Sequence, residues 1–195
     1  MDNIDFEDFE DLDKYLLSQK GKIIHQIWFD NILPNKRATQ KEFESLRKYR
    51  DSWILKNPTW KYMCWNVNNS LKLIKTRFSE HLEMYNKYPY NIQRCDSIRY
   101  FILHRYGGLY ADMDYFCNRP FDEAISVYQN DLYLVESPNR LGDDARVSNS
   151  LMYSKPNHSF WKSLFIELEM SRTAPIYYGR HMTIMYTTGP CFLGS

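Results

Sequence analysis

Within YGGLYADMD, Tyr106 to Asp114, two aspartates stand one residue apart behind a Gly-Gly break and a short apolar segment. Carboxylates so spaced serve either as solvated side chains of a surface turn or as hard oxygen ligands. In an extended chain Leu109 and Ala111 face one way, while Tyr110, Asp112 and Asp114 face the other. Both carboxylates then project to one side and suit Mg²⁺ or Mn²⁺, which keep coordination positions open for substrate phosphates. A cation held there would neutralise a diphosphate and stabilise it as a leaving group. The same D-x-D spacing recurs at Asp11-Leu12-Asp13, without a preceding buried strand or a Gly-Gly break, and there it reads as surface.

A second polar constellation lies just upstream. NIQRCDSIRYFILHRY, Asn91 to Tyr106, reads as the strongest helix in the chain, preceded by Pro89 and closed by Gly107-Gly108 as a left-handed C-cap. At helical spacing, Ile92, Cys95, Leu103 and Tyr106 surround Arg99, and Asp96 precedes it by three residues. A guanidinium leaving an apolar sector is costly unless paired. Two readings stand: an internal Asp96–Arg99 ion pair that locks the helix, or a helix bordering a polar cleft that grips hydroxyls and anions.

The elements that must position these groups follow an α/β order. KIIHQIWF (Lys22 to Phe29) is a short, nearly continuous apolar run, as expected of a strand buried on both faces. A helix is expected over 39–56, stopped by Asn57-Pro58, then a strand in WKYMCWN and a helix from Asn69 to Phe78. DLYLVE and SNSLMYS read as further strands, and His158 to about Arg172 as a helix. If the strand LYADMD ends near its aspartates, they lie at its carboxyl end, where open α/β sheets bind ligands. His25 reads as a packed histidine and His158 as an exposed residue at a helix start. TTGPCFLGS reads as a loop.

Length and composition bound the alternatives. The 195 residues fit one core, and 44% hydrophobic with 25% charged residues is a globular mix. A net charge of +1 gives no bulk attraction to nucleic acid. The 16 tyrosines raise the aromatic content, which suits packed rings and also surfaces that stack on sugars or bases. Cys64, Cys95, Cys117 and Cys191 form no C-x-x-C pair and read as reduced thiols. The opening MDNIDFEDFEDLDKY is an acidic arm or amphipathic helix over 1–20, with no signal peptide and no membrane-spanning run, which leads to the expectation of a cytoplasmic bacterial or viral protein, or of a trimmed piece of a longer one.

Taken together, IIHQIWF, the SW…NP-x-W-x-Y-x-x-W stretch and D-x-x-RY-x-x-L-x-x-YGG-x-Y-x-D-x-D resemble the DXD-sugar-binding glycosyltransferases, over roughly Lys22 to Pro190. The resemblance implies a GT-A fold over 21–195, a Rossmann-like, mostly parallel sheet flanked by helices. It also implies transfer of a hexose from a UDP- or GDP-sugar to a glycan or other hydroxyl acceptor, with retention of configuration. By the same resemblance Asp112 and Asp114 hold Mn²⁺ (or Mg²⁺), Asp96 and Arg99 hold sugar and ribose hydroxyls, and Trp28 lies along the nucleobase. For Trp28 the bland alternative is a core ring of the first strand. Tyr100 and Gly108, inside the same motif, join the implied donor-binding set with Trp28, Asp96, Arg99 and Asp112. No nucleophile or base is assigned. Relatives of this kind continue beyond TTGP into a segment that closes over the donor, so a lid is expected to be missing. Two other functions remain to be weighed. One is a degenerate domain that binds nucleotide sugar without turnover. The other is a carboxylate phosphodiesterase, which would leave D-x-x-R and Trp28 without a role.

Overall fold

The computed structural model describes residues 8–32, 38–136, 147–171 and 179–194. Along the chain come α1 (Phe9–Ser18), β1 (Ile23–Ile27), α2 (Gln40–Ser45), α3 (Arg47–Lys56), β2 (Lys61–Trp65), α4 (Val67–Arg77) and α5 (Leu82–Lys87). They are followed by α6 (Asn91–Tyr106), β3 (Gly108–Ala111), α7 (Phe121–Tyr128), β4 (Leu132–Glu136), β5 (Val147–Ser154), α8 (Ser159–Ser171), α9 (Gly179–Thr187) and α10 (Pro190–Leu193). The sheet runs in the order β2-β1-β3-β5-β4. β1 pairs in parallel with β2 and β3, while β5 is antiparallel to both β3 and β4. Four strands therefore share a direction and β5 alone is reversed, so the expected mostly parallel sheet is present with one opposed strand.

Local sequence explains these elements. All five residues of β1 are buried, as a central strand covered on both faces requires. α6 matches its expected bounds and ends on Gly107 at φ +64°. Gly108 follows at φ +96°, where a Cβ would stand 2.4 Å from the Ile23 carbonyl oxygen. That close approach seats β3 against β1, and it accounts for Gly108 within the sheet rather than by contact with a donor. The expected helix over 39–56 breaks at Leu46 into α2 and α3. α4 starts earlier than expected because Asn66 and Asn69 form a capping box. The C-terminal stretch read as a loop contains α10, with Pro190 in its first turn.

His25 is fully buried between two fixed partners. Trp65 Nε1 donates to its Nδ1 at 3.1 Å, and its Nε2 lies 2.9 Å from the Gly107 carbonyl oxygen. The indole can only donate and the carbonyl can only accept, so the ring is the neutral Nε2–H tautomer. This packed role is the one expected from sequence. Burial pulls its pKa down to about 4, against the hydrogen bond to Gly107.

The N-terminal D-x-D requires a correction. Asp11 is exposed, but Asp13, read as surface, is 2% exposed. Its carboxylate accepts from Arg77 at 3.0 Å, from Arg105 at 3.0 and 2.6 Å, and from the Tyr106 hydroxyl at 2.6 Å. Burial alone would raise its pKa, but the bonds from Arg105, Tyr106 and Arg77 outweigh it and hold the carboxyl below the usual range. Within the acidic arm, α1 is thus pinned to α4 and α6. Among the described residues no helix is long and apolar enough to cross a membrane.

Two outcomes follow. Asp13→Ala strands two arginines and should cost about 3 kcal/mol of stability in urea denaturation. A depressed histidine pKa stabilises the fold above the free-histidine value near 6.5, and that stabilisation is lost as pH falls towards 4. Between those pH values wild type should lose on the order of 3 kcal/mol more than His25→Gln, read by denaturation across pH.

Candidate active site

β1 and β3 are adjacent parallel strands, so their carboxyl ends lie side by side and bring Trp28 and Asp112 to one edge of the sheet. Gln26 links them directly, its Nε2 donating to the Asp112 carbonyl oxygen at 3.0 Å. β3 ends at Ala111, so the aspartates stand just beyond the strand and not within it. Asp112 N–H still donates to the Ser150 carbonyl oxygen at 2.8 Å, one step past the ladder. Tyr115 N–H then closes a turn onto the Asp112 carbonyl oxygen at 3.1 Å. Asp112 comes out half-buried and Asp114 exposed.

Arg99 is buried, at 4% exposure, and its donors are distributed over several neighbours. Nη2 meets Asp96 Oδ1 at 2.6 Å, Nη1 donates to the Asn149 carbonyl oxygen at 2.7 Å and reaches Asp112 Oδ1 at 3.4 Å, and Nε approaches the Cys95 carbonyl oxygen at 3.4 Å. The guanidinium also lies 4.7 Å from the centre of the Tyr110 ring. Tyr110 in turn donates its hydroxyl to Asp112 Oδ1 at 2.5 Å. One oxygen of Asp112 is thereby held by two donors.

Both sequence readings of D-x-x-R are present in one network. The internal Asp96–Arg99 pair exists, and it extends to the D-x-D edge through Asp112. Asp96 is buried, and its Oδ2 receives a long 3.4 Å bond from Thr188 Oγ1. Burial pushes Asp96 up to about 6, with Arg99 opposing and Asp112 adding to the rise. Asp112 is raised as well, first by burial, against Arg99 and Tyr110, with Asp114 adding to it.

Tyr100 requires a correction. It is fully buried, stacked on Trp161, and its hydroxyl donates to the Thr188 carbonyl oxygen at 2.7 Å. It braces the segment that covers Asp96 and has no exposed group to offer a donor. Sequence reasoning missed Tyr110, Asn149 and Thr188. Only Tyr110 had left a signal, because it shares the strand parity of Asp112.

Trp28 is half-buried, its ring 5.4 Å from that of Phe43, and it lines a groove of about 330 Å³ with Phe29, Ile32 and Leu46. It is therefore not enclosed as a core ring would be. Among the described residues no group of three or more His, Cys, Asp or Glu side chains could hold a metal. Asp112 and Asp114 alone fit a partial shell, the kind a hard cation completes with substrate phosphates and water.

An α/β sheet of this topology, carrying paired carboxylates beside a half-open aromatic groove, defines a nucleotide-sugar transferase fold of the GT-A type. Residues 44–132 match the family described as glycosyltransferase sugar-binding region containing DXD motif. The chain is 34% identical over 172 residues to inositol phosphoceramide mannosyltransferase 3 of Schizosaccharomyces pombe, covering 88% of this chain and 43% of the relative. It is also 34% identical over 172 residues to mannosyl phosphorylinositol ceramide synthase CSH1 of Saccharomyces cerevisiae, covering 88% and 41%. The chain thus spans less than half the length of these relatives. Among solved structures, the PaToxG glycosyltransferase superposes with a TM-score of 0.57 at 14% identity, covering 95% of this chain and 72% of that one, a likeness of fold. These matches overturn the expectation of a cytoplasmic protein. The five relatives aligned over 87–88% of the chain are yeast enzymes named for a ceramide lipid.

Replacing Arg99 by Met should cost about 4 kcal/mol, because Asp96 is left buried without its partner. Adding Asp96→Asn should recover about half of that loss, measured by urea denaturation of the single and double variants.

Proposed function

We propose that this chain transfers a hexose, mannose by its likeness to the named yeast enzymes, from a nucleotide-diphosphate sugar to an acceptor hydroxyl with retention of configuration. The observation that supports this best is the meeting, at one sheet edge, of the Asp112/Asp114 pair, the Trp28 groove and the Asp96–Arg99 network. Trp28 flanks the nucleobase, and the groove beside it excludes water from one face of the ring. Asp114 and the second oxygen of Asp112 hold a divalent cation, which when bound neutralises the diphosphate. Arg99 and Tyr110 keep Asp112 in place. The Thr188–Asp96 bond is long, and a sugar hydroxyl takes its place on Asp96. In the transfer, the bond from the anomeric carbon to the diphosphate oxygen breaks with its electron pair leaving on the diphosphate. The acceptor oxygen bonds to that carbon and passes its proton to the departing diphosphate oxygen.

Calorimetry with GDP-mannose and a panel of UDP-sugars, with and without Mn²⁺, tests the reading. At least one donor should bind in a metal-dependent way, and Asp114→Asn should weaken that binding by at least about 100-fold. Equal binding by wild type and Asp114→Asn sinks the proposal. The internal engagement of Asp96 and Arg99 favours one second reading, a domain that binds donor without turnover. It is told apart by the absence of released or transferred sugar over hours in a sample that binds donor normally.

A further inference from the structure

Asp112 is held by its main chain as well as by its carboxylate. Its N–H donates to the Ser150 carbonyl oxygen at 2.8 Å. Its own carbonyl oxygen accepts twice, from Tyr115 N–H at 3.1 Å and from Gln26 Nε2 at 3.0 Å. Both lone pairs of that oxygen are therefore used. Gln26 is fully buried in β1, and its Oε1 accepts from the Tyr62 hydroxyl at 2.8 Å. One amide thus joins three neighbouring strands, with Tyr62 on β2 and Asp112 just past β3. A carbonyl can only accept, so Nε2 must face Asp112 and the amide has one orientation.

The place of this bridge in the sheet explains why an amide stands there. β1 stays in register with β2 as far as Ile27 and Trp65, whereas its register with β3 runs over Ile24–Leu109 and His25–Tyr110. Gln26 comes one residue after the β1–β3 ladder stops, and its side chain takes over where the backbone bonds end. The crevice beyond the carboxyl ends of such strands is where ligands bind. Tyr110 and Arg99 aim the Asp112 carboxylate, but they do not hold the backbone that carries it. The carbonyl that Gln26 holds also closes the turn bearing Asp114, through Tyr115. A strand interior alone needs no amide, since an apolar side chain would pack there without the cost of desolvating one.

We propose that Gln26 is a positioning residue for the D-x-D pair: braced by Tyr62, it fixes the main chain of Asp112 so that both carboxylates meet a small hard cation at the spacing it requires. This role rests on the donor reading of the edge, and it falls to a residue that touches neither substrate nor metal. Mg²⁺ demands near-ideal octahedral geometry, whereas Ca²⁺ accepts a flexible shell. A bridge that sets geometry therefore matters far more for Mg²⁺ than for Ca²⁺. A bridge that only stabilises the fold treats the two ions alike.

The test titrates Mg²⁺, and separately Ca²⁺, into the whole chain with GDP or UDP present, by calorimetry against a protein-free blank. Gln26→Met keeps the side-chain length and removes both bonds; it should weaken Mg²⁺ binding at least about tenfold and Ca²⁺ binding less than about threefold. Tyr62→Phe removes only the brace. It should weaken Mg²⁺ binding about fivefold in the wild-type chain and have no further effect beside Gln26→Met. Asp13→Ala, which breaks the network at the opposite end of α6 from Asp96, should leave both affinities of the folded chain unchanged. Wild-type Mg²⁺ affinity in Gln26→Met, or equal losses for the two ions, overturns the positioning role while the donor reading stands. If Gln26→Met does not fold, Tyr62→Phe decides by the same comparison of the two ions. If folded wild type binds neither ion with either nucleotide, the donor reading itself falls and the role of Gln26 with it.

Discussion

The guanidinium of Arg99 sits where α6, β3 and β5 meet, and its bonds fix how the three meet at the edge of the sheet. Taking a cation out of water costs several kcal/mol, and only a full set of acceptors returns it. Here the set comes from different directions: Asp96 and the Cys95 carbonyl from its own helix, the Asn149 carbonyl from β5, and Asp112 just beyond β3. Tyr110 adds the face of its ring and bonds the same Asp112 oxygen. A shift of any one element leaves a buried charge short of a partner. The arrangement is therefore specified sharply, although the net stability from such a buried pair is small.

That specification depends on the turn between α6 and β3. Gly107 and Gly108, both at positive φ, reverse the chain within two residues, so β3 returns beside the helix it follows. Gly108 brings β3 hard against Ile23 of β1, and Gln26 of β1 then reaches the Asp112 carbonyl. His25, buried beside it, ties Gly107 to Trp65 of β2 through a ring whose two nitrogens have opposite roles. Three strands are thus keyed to one helix terminus, and the carboxylates emerge where the keying ends.

Much of this could be read from residue types. The Gly-Gly stop, the apolar first strand and the odd placement of Arg99 each reflect a local conflict or period, and all three survive in the fold. What stayed hidden depends on contacts between distant residues. Asp13 looks like any acidic arm residue until Arg77, Arg105 and Tyr106 converge on it. Thr188 lies 92 residues from Asp96, and the Asn149 contribution to Arg99 is a backbone carbonyl that has no residue signature. Tyr100 was misread because motif adjacency to Arg99 carries no information on direction: one step round a helix turns a site residue into a core residue.

Charge at the sheet edge bears on what can bind there. Asp96, Asp112 and Asp114 lie around a single buried cation, Arg99, and burial raises Asp96 to about 6 and Asp112 in the same direction. Three carboxylates around one guanidinium leave that edge short of positive charge. A diphosphate brought to that edge would meet repulsion from Asp112 and Asp114, while the donors of Arg99, the buried cation beside them, are already committed. A divalent ion held by Asp112 and Asp114, as the proposed function requires, would remove that repulsion. The exposure of Asp114, which no internal bond among the described residues explains, is what the proposed cation site requires. A ligand side chain must be left uncommitted by the fold in order to be committed by the substrate.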